Sequence, residues 1–171
     1  MRNDELLDLV NEKDEIIGTV WKSQAHSNPR LIHREIGILV VTKNKEVLFH
    51  KRSLKKAHDP GQWQLGVAGH VGAKESPEKA AKRELYEEIG LKGKLTFSYK
   101  FFDQYKKESR FFWTYYILLD EKQNLDYHKD EIDEIKWVNY KDLEKFEKEH
   151  PSHAMDKSSE IVNKIIKTIK F

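Results

Sequence analysis

Residues 69–91 read GHVGAKESPEKAAKRELYEEIGL, and three of them, Glu84, Glu87 and Glu88, stand at i, i+3 and i+4. A helix turns about 100° per residue, so these acids project from one face into one small volume. The flanks agree with a helix. Ser76 is a fitting N-cap, Pro77 suits the first turn, Glu78 complements the positive end of the dipole, and Gly90 stands where a left-handed C-cap is wanted. Leu85 and Ile89, one turn apart, would face the core. Three carboxylates this close repel one another, which calls for a cation among them. Hard oxygen ligands in a cluster suit Mg²⁺ or Mn²⁺, which take carboxylate, water and phosphate oxygens in one octahedral shell. The alternative for such a charge run is a solvated helix face.

The frame around the acids separates these readings: Gly69, five residues, Glu75, seven residues, Arg83-Glu84-Leu85, one residue, Glu87-Glu88, one residue, Gly90-Leu91. This pattern resembles the Nudix hydrolase signature at every fixed position. The resemblance implies a loop, helix, loop unit that binds a divalent metal and a diphosphate, with Glu84, Glu87 and Glu88 matching the metal ligands. Glu75 and Arg83 match supporting positions, and Gly69 the glycine that opens the loop. Arg83 would orient the carboxylates by bidentate pairing. Diphosphate cleavage fits such a site, because metal ions neutralise phosphate oxygens and lower the pKa of a bound water, with no covalent intermediate. Some members of the family take a general base from a loop ahead of a late strand. Here residues 130–134, DEIDE, precede the strand-like 135–138, which makes Glu131 the candidate and Glu134 the next; the alternative is a set of surface acids around a turn.

The 171 residues fit one domain with a real core, and 35% charged residues at net charge +2 indicate a soluble protein without a polyanion-binding surface. The expected partner is a small-molecule diphosphate, with no nucleic acid, no membrane and, as in many relatives, a possible homodimer. Zero cysteines exclude disulfides, thiolate metal sites and a cysteine nucleophile. The N-terminus MRNDELLDLV lacks a signal-like apolar run, and no stretch approaches the roughly 18 apolar residues of a membrane span, so a cytoplasmic location is expected.

Along the chain, residues 6–10 and 16–21 flank a polar turn and read as a hairpin, part of an N-terminal extension over 1–30. Residues 36–42 form a continuous apolar run suited to a strand buried on both faces, followed by a second strand over 47–51. After the signature at 69–91, residues 95–105 and 111–119 read as two aromatic strands joined by the polar 106–109. Residues 141–148 and 158–170 read as C-terminal helices, the second with Val162, Ile165, Ile166 and Ile169 on one stripe and lysines opposite. The expectation is a single α/β domain. It is the Nudix-type α/β/α sandwich, with a mixed central sheet, the N-terminal hairpin extension and C-terminal helices over 141–171.

The N-terminal region is also similar to isopentenyl diphosphate isomerases, which share the Nudix fold, through 10–12, 18–19, 25–26, 31–34 and the pair Gly69-His70. That resemblance implies that His26, His33 and His70 match three histidines of a second metal site, suited to Mn²⁺ or Zn²⁺. Two departures oppose isomerisation: Ala68 stands where the isomerase needs a cysteine, and residues 110–114, RFFWT, stand where it needs glutamates. Without those groups no acid and base pair is evident for moving protons on carbon. Among other residues, Lys51 and Arg52 are candidates to contact phosphate, Trp63 to stack on a base or plug the core, and Phe102, Tyr105, Trp113 and Tyr115 to line a pocket.

The sequence therefore predicts a metal-dependent hydrolase of a diphosphate bond, X-P-P, using Mg²⁺ or Mn²⁺. A nucleoside di- or triphosphate is the first substrate class and an isoprenoid diphosphate the second. The alternatives are an isopentenyl diphosphate isomerase and a non-catalytic nucleotide-sensing module. Such modules usually lose a metal-binding glutamate, and none is lost here.

Overall fold

In the computed structural model, residues 4–56, 59–105, 107–151 and 158–171 are described, without the side chain of Tyr105. The pocket role considered for Tyr105, and Lys106 of the expected 106–109 joint, therefore lie outside the described residues.

The apolar run is the centre of the sheet. Strand β3, Ile32–Thr42, starts earlier than the run itself because His33 and Glu35, although polar, still pair with β8, and Glu35 also with His70 of β6. It runs parallel to β8, Glu108–Leu119, from Ile32 opposite Ser109 to Thr42 opposite Leu119. On its other side it is antiparallel to β6, Val67–His70, and touches β4, Glu46–Arg52, at Val41 opposite Val47. The hairpin of β1, Leu6–Val10, and β2, Ile16–Trp21, joins β3 where Val10 meets Ile32. Strands β5, Trp63–Leu65, and β9, Ile132–Asn139, flank β4, while β7, Thr96–Tyr105, pairs with β8 as the expected hairpin.

Period-two alternation divides the core into two layers. Ile36, Ile38 and Val40 pack with Val67, Leu85 and Ile89 on the side of helix α2, Pro77–Ile89. Leu39 and Val41 pack with Phe49, Phe146, Val162 and Ile165 on the side of α3, Leu143–Glu149, and α4, Ser158–Ile166. A mixed sheet lies between helices, as expected. Two helices differ in extent. The first is preceded by a 3₁₀ turn at Tyr140–Asp142, where Asn139 caps the N–H of Lys141. The second stops at Ile166 and ends in turns that still bury Ile169. A short helix, α1, Lys22–Ala25, follows β2 and delivers His26. Among the described residues, no helix is long and apolar enough to cross a membrane.

Candidate active site

Helix α2 forms as its ends dictate. The Ser76 side chain accepts the N–H of Lys79, Pro77 opens the first turn, and Gly90 closes it in the left-handed region at φ 67°. Ala80, Ala81, Leu85 and Ile89 are buried beneath the sheet, which turns Arg83, Glu84, Glu87 and Glu88 toward β6 and the loop after it. The approach to β6 is close enough to require glycine. A Cβ on Gly69 would stand 2.2 Å from the carboxyl carbon of Glu84.

Arg83 is the organiser of this face. Its Nε and Nη2 donate to both oxygens of Glu75 at 3.1 and 3.0 Å, in the expected fork. Nη2 also donates to the carbonyl of His70 at 3.0 Å, and Nη1 to Glu84 at 2.7 Å and Glu87 at 3.1 Å. Glu75 further accepts the N–H of Gly72, so the loop and the helix are locked together. Burial pulls the Glu75 carboxyl up, but the Arg83 and Gly72 hydrogen bonds outweigh it and its pKa falls below 4.5.

The other acids behave differently. Glu84 is raised by burial, opposed by Arg83 and reinforced by Glu87. Glu88 is pushed up to about 8, first by burial and then by Glu84, with Arg52 and Lys56 opposing and Glu131 adding to the rise. Its Oε2 is shut off from solvent with no hydrogen-bond partner among the described residues. Such a carboxylate fits a cation that would replace the lost water. The three acids stand on one face of α2, at the spacing the sequence gives them. Arg83 claims Glu84 and Glu87, and Glu88 stays apart from that fork. Glu87 remains half exposed, so the cluster is open to solvent.

A second cluster is tighter. His26 at the end of the short helix, His33 on β3 and His70 on β6 bring their rings to centroid separations of 5.0–5.5 Å. Their ligand atoms and one oxygen of Glu35 all lie within 4.8 Å of one another. His26 Nε2 is 2.9 Å from His70 Nε2, and Glu35 Oε1 is 3.2 Å from His70 and 3.3 Å from His33. Spacings near 3 Å are those expected between ligands each about 2 Å from a shared ion, so these four residues can hold one. Burial, aided by His70 and His33, lowers His26 to about 4, which keeps the imidazole neutral, the form that could bind a metal. Burial opposes ionisation of Glu35, but Arg110 and His70 overcome it and hold the carboxyl well below its ordinary range.

Glu35 was not singled out from sequence, although it follows His33 by two residues on one strand and so shares its face. Glu108 was missed as well. It approaches His26 Nε2 to 3.3 Å and is raised by burial and by Glu35.

The remaining candidates divide by strand alternation. Arg52 lies beside Glu88 electrostatically and donates to Gln64, whereas Lys51 points with Trp63 and His150 into a separate cavity of about 220 Å³. Trp63 is buried, packed edge-on against Phe146, so it stands as a core plug away from the acids. Glu131 is ion-paired to Lys56 and acts on Glu88, while Glu134 sits opposite Lys51. Of the aromatics expected to line a pocket, Trp113 and Tyr115 belong to the core beneath α2 and Phe102 is exposed. Their neighbours Phe101 and Phe112 line the larger cavity instead.

The family model of the NUDIX domain matches residues 31–156. The isopentenyl-diphosphate Delta-isomerase of Streptomyces griseus subsp. griseus is 37% identical over 90 residues, which are 53% of this chain and 46% of that protein, about half its length. Isopentenyl-diphosphate Delta-isomerase 2 of Photorhabdus laumondii is 31% identical over 150 residues, 80% of this chain and 78% of that protein. In solved structures, a Deinococcus radiodurans protein covers 93% of this chain and 98% of its own at TM-score 0.76 and 20% identity, a likeness of fold.

Proposed function

The chain belongs to the Nudix family, and from that premise we propose that it is a metal-dependent hydrolase cleaving a diphosphate bond in a small molecule, X-P-P. Nucleoside di- or triphosphates are the first substrate class. The observation that carries this reading is the intact acid face of α2, with Glu88 Oε2 buried and without a hydrogen-bond partner among the described residues while Arg83 and Glu75 brace the rest. A binding module that only senses a nucleotide would have no need of the full set.

Mg²⁺ or Mn²⁺ held by Glu84, Glu87 and Glu88 would neutralise the phosphate oxygens and lower the pKa of a water. Arg83 fixes the carboxylates in orientation. Arg52, close enough to oppose the charge of Glu88, adds positive charge where a phosphate would lie. Glu131 accepts the proton of the attacking water, held in place by its ion pair with Lys56. The water oxygen bonds to phosphorus, the bridging P–O bond breaks, and the leaving phosphate departs with the electron pair.

A second reading, isomerisation of an isoprenoid diphosphate, is favoured by the histidine cluster and by the names of the relatives. Against it stand Ala68 and residues 110–114, RFFWT, which lack the cysteine and the glutamates that the isomerase needs. A panel of nucleotide, sugar-nucleotide and isoprenoid diphosphates, assayed with Mg²⁺ and with Mn²⁺ for phosphate or pyrophosphate release, tests the choice. We expect metal-dependent release from at least one nucleotide. We also expect Glu88→Gln to reduce it by more than the roughly 10–100-fold that losing a supporting partner costs. Undiminished release by that variant contradicts the proposal.

A further inference from the structure

The loop that leads from β6 into α2 is held partly from outside. Gly72 donates its N–H to Glu75 Oε2 at 3.1 Å and Glu75 donates its own to the carbonyl of Gly72 at 3.0 Å, which ties the two ends of the turn together. The two N–H groups between them go to β1 of the N-terminal hairpin. Ala73 donates to the carbonyl of Leu6 at 2.8 Å and Lys74 donates to Asp8 Oδ1 at 3.0 Å, with fully buried Leu7 bridging Gly72 beside them. Half of the backbone donors of residues 72–75 therefore depend on β1. Lys74 also stands at φ 66°, a left-handed conformation that a residue with a side chain keeps only where its surroundings hold it.

Asp8 is the unusual member of this contact. It is buried, and its Oδ2 is shut off from solvent with no hydrogen-bond partner among the described residues. An apolar side chain of similar size would bury on β1 without that cost. What the carboxylate adds is an acceptor for Lys74, at the residue whose backbone is strained. The consequence passes through bonded neighbours: Lys74 precedes Glu75, both oxygens of Glu75 hold Arg83, and Arg83 holds Glu84 and Glu87. Glu5, just ahead of β1, bears on the same face. Burial is the first cause of the raised Glu84 carboxyl, Arg83 opposes it, and Glu87 and then Glu5 add to the rise. Strand β1 lies outside the residues 31–156 that match the family model, so the hairpin, and not the matched domain, supplies this brace.

We propose that Asp8 is a positioning residue for the acid face of α2: by holding the Lys74 N–H it fixes the left-handed turn that aims Glu75 at Arg83. Treating that face as the reacting site rests on the hydrolase reading. The test is a Mg²⁺ titration of the full chain followed by NMR amide shifts in α2, since Mg²⁺ prefers oxygen ligands and so reads the carboxylates and not the histidines. Asp8→Ala should weaken Mg²⁺ binding about tenfold, the lower end of what losing an outer partner of a metal site costs. It should also speed hydrogen exchange at the Lys74 amide about tenfold or more while the amides of β3 exchange as in the parent. Asp8→Asn, which keeps an acceptor oxygen, should restore both. Adding Lys74→Gly to Asp8→Ala should recover most of the affinity, because glycine takes the left-handed turn unaided. A residue that served stability alone would gain nothing from glycine there. Val10→Ala, which truncates the contact of the same strand with Ile32 and Phe111, should lower the melting temperature and leave Mg²⁺ affinity unchanged. Asp8→Ser, too short to reach the Lys74 N–H, replaces Asp8→Ala if that variant fails to fold. Unchanged affinity in folded Asp8→Ala or Asp8→Ser, no recovery with asparagine or with glycine at 74, an equal loss in Val10→Ala, or unprotected exchange of Lys74 in the parent overturns the proposal. Binding and exchange need no turnover. These shifts without diphosphate cleavage would therefore fail the hydrolase reading alone, and cleavage with Mg²⁺ binding indifferent to Asp8 would fail this one alone.

Discussion

Glu88 illustrates how one side chain ties stability to chemistry. Its folded-state carboxyl keeps its proton to about 8, whereas the ordinary value is 4.5, so the folded form binds the proton more tightly than the unfolded chain. Stability of chelator-treated protein should therefore be fully present below about pH 4.5 and be lost as pH rises toward 8. Glu88→Gln removes the titrating group. Thermal melts at pH 8 should place that variant at least about 3 °C above the parent, the shift that roughly 1 kcal/mol produces in a chain of this size, with the gap closing near pH 5. An equal gap at both pH values would contradict the assignment. Arg83 is the other decisive residue. Because it binds Glu75, Glu84, Glu87 and the His70 carbonyl at once, Arg83→Lys should weaken Mn²⁺ binding about 10–100-fold by titration, since an ammonium cannot reproduce the fork. That these residues share one face was legible from their spacing, and the roles proposed for them come from the family signature they match. Arg83 holding the carboxylates was expected from that signature; its bond to the His70 carbonyl was not, because spacing fixes direction on a helix but not which backbone group a guanidinium reaches.

Among the elements, α2 was legible to its caps, since Ser76, Pro77 and Gly90 act through local geometry that needs no tertiary information. Its approach to β6 was not legible. Gly69→Ala tests that contact: the added methyl must displace the Glu84 carboxylate, so diphosphatase activity should fall at least about tenfold while the melting temperature moves far less than for a core truncation. Full activity in that variant would show that Glu84 has room to spare. The aromatic strands β7 and β8 show the opposite limit. Their existence was plain, but with period-two alternation a run such as Phe111-Phe112-Trp113 offers both faces. Only pairing with β3 decides that Phe112 enters the cavity and Trp113 the core.

At the scale of the molecule, the sandwich brings together His26, His33 and His70 from three separate elements, with Glu35 as a fourth donor. Composition and periodicity carry no trace of that convergence; the histidines were found by resemblance, and Glu35 only by the fold. Zn²⁺ or Mn²⁺ at about 100 times its dissociation constant should stabilise the protein by about 2.7 kcal/mol, and His70→Gln should abolish most of that gain in a thermal melt. A gain that survives His70→Gln would place the ion elsewhere. The central claim is that water, not a carbon-bound proton, is the reactant at the acid face of α2. Turnover of the best diphosphate substrate in ¹⁸O-labelled water with Mg²⁺ tests it most directly by mass spectrometry of the phosphate products. One labelled oxygen per cleavage event is predicted, lost with the activity in Glu88→Gln. Unlabelled phosphate, or a rearranged isoprenoid diphosphate carrying solvent hydrogen on carbon, would contradict it.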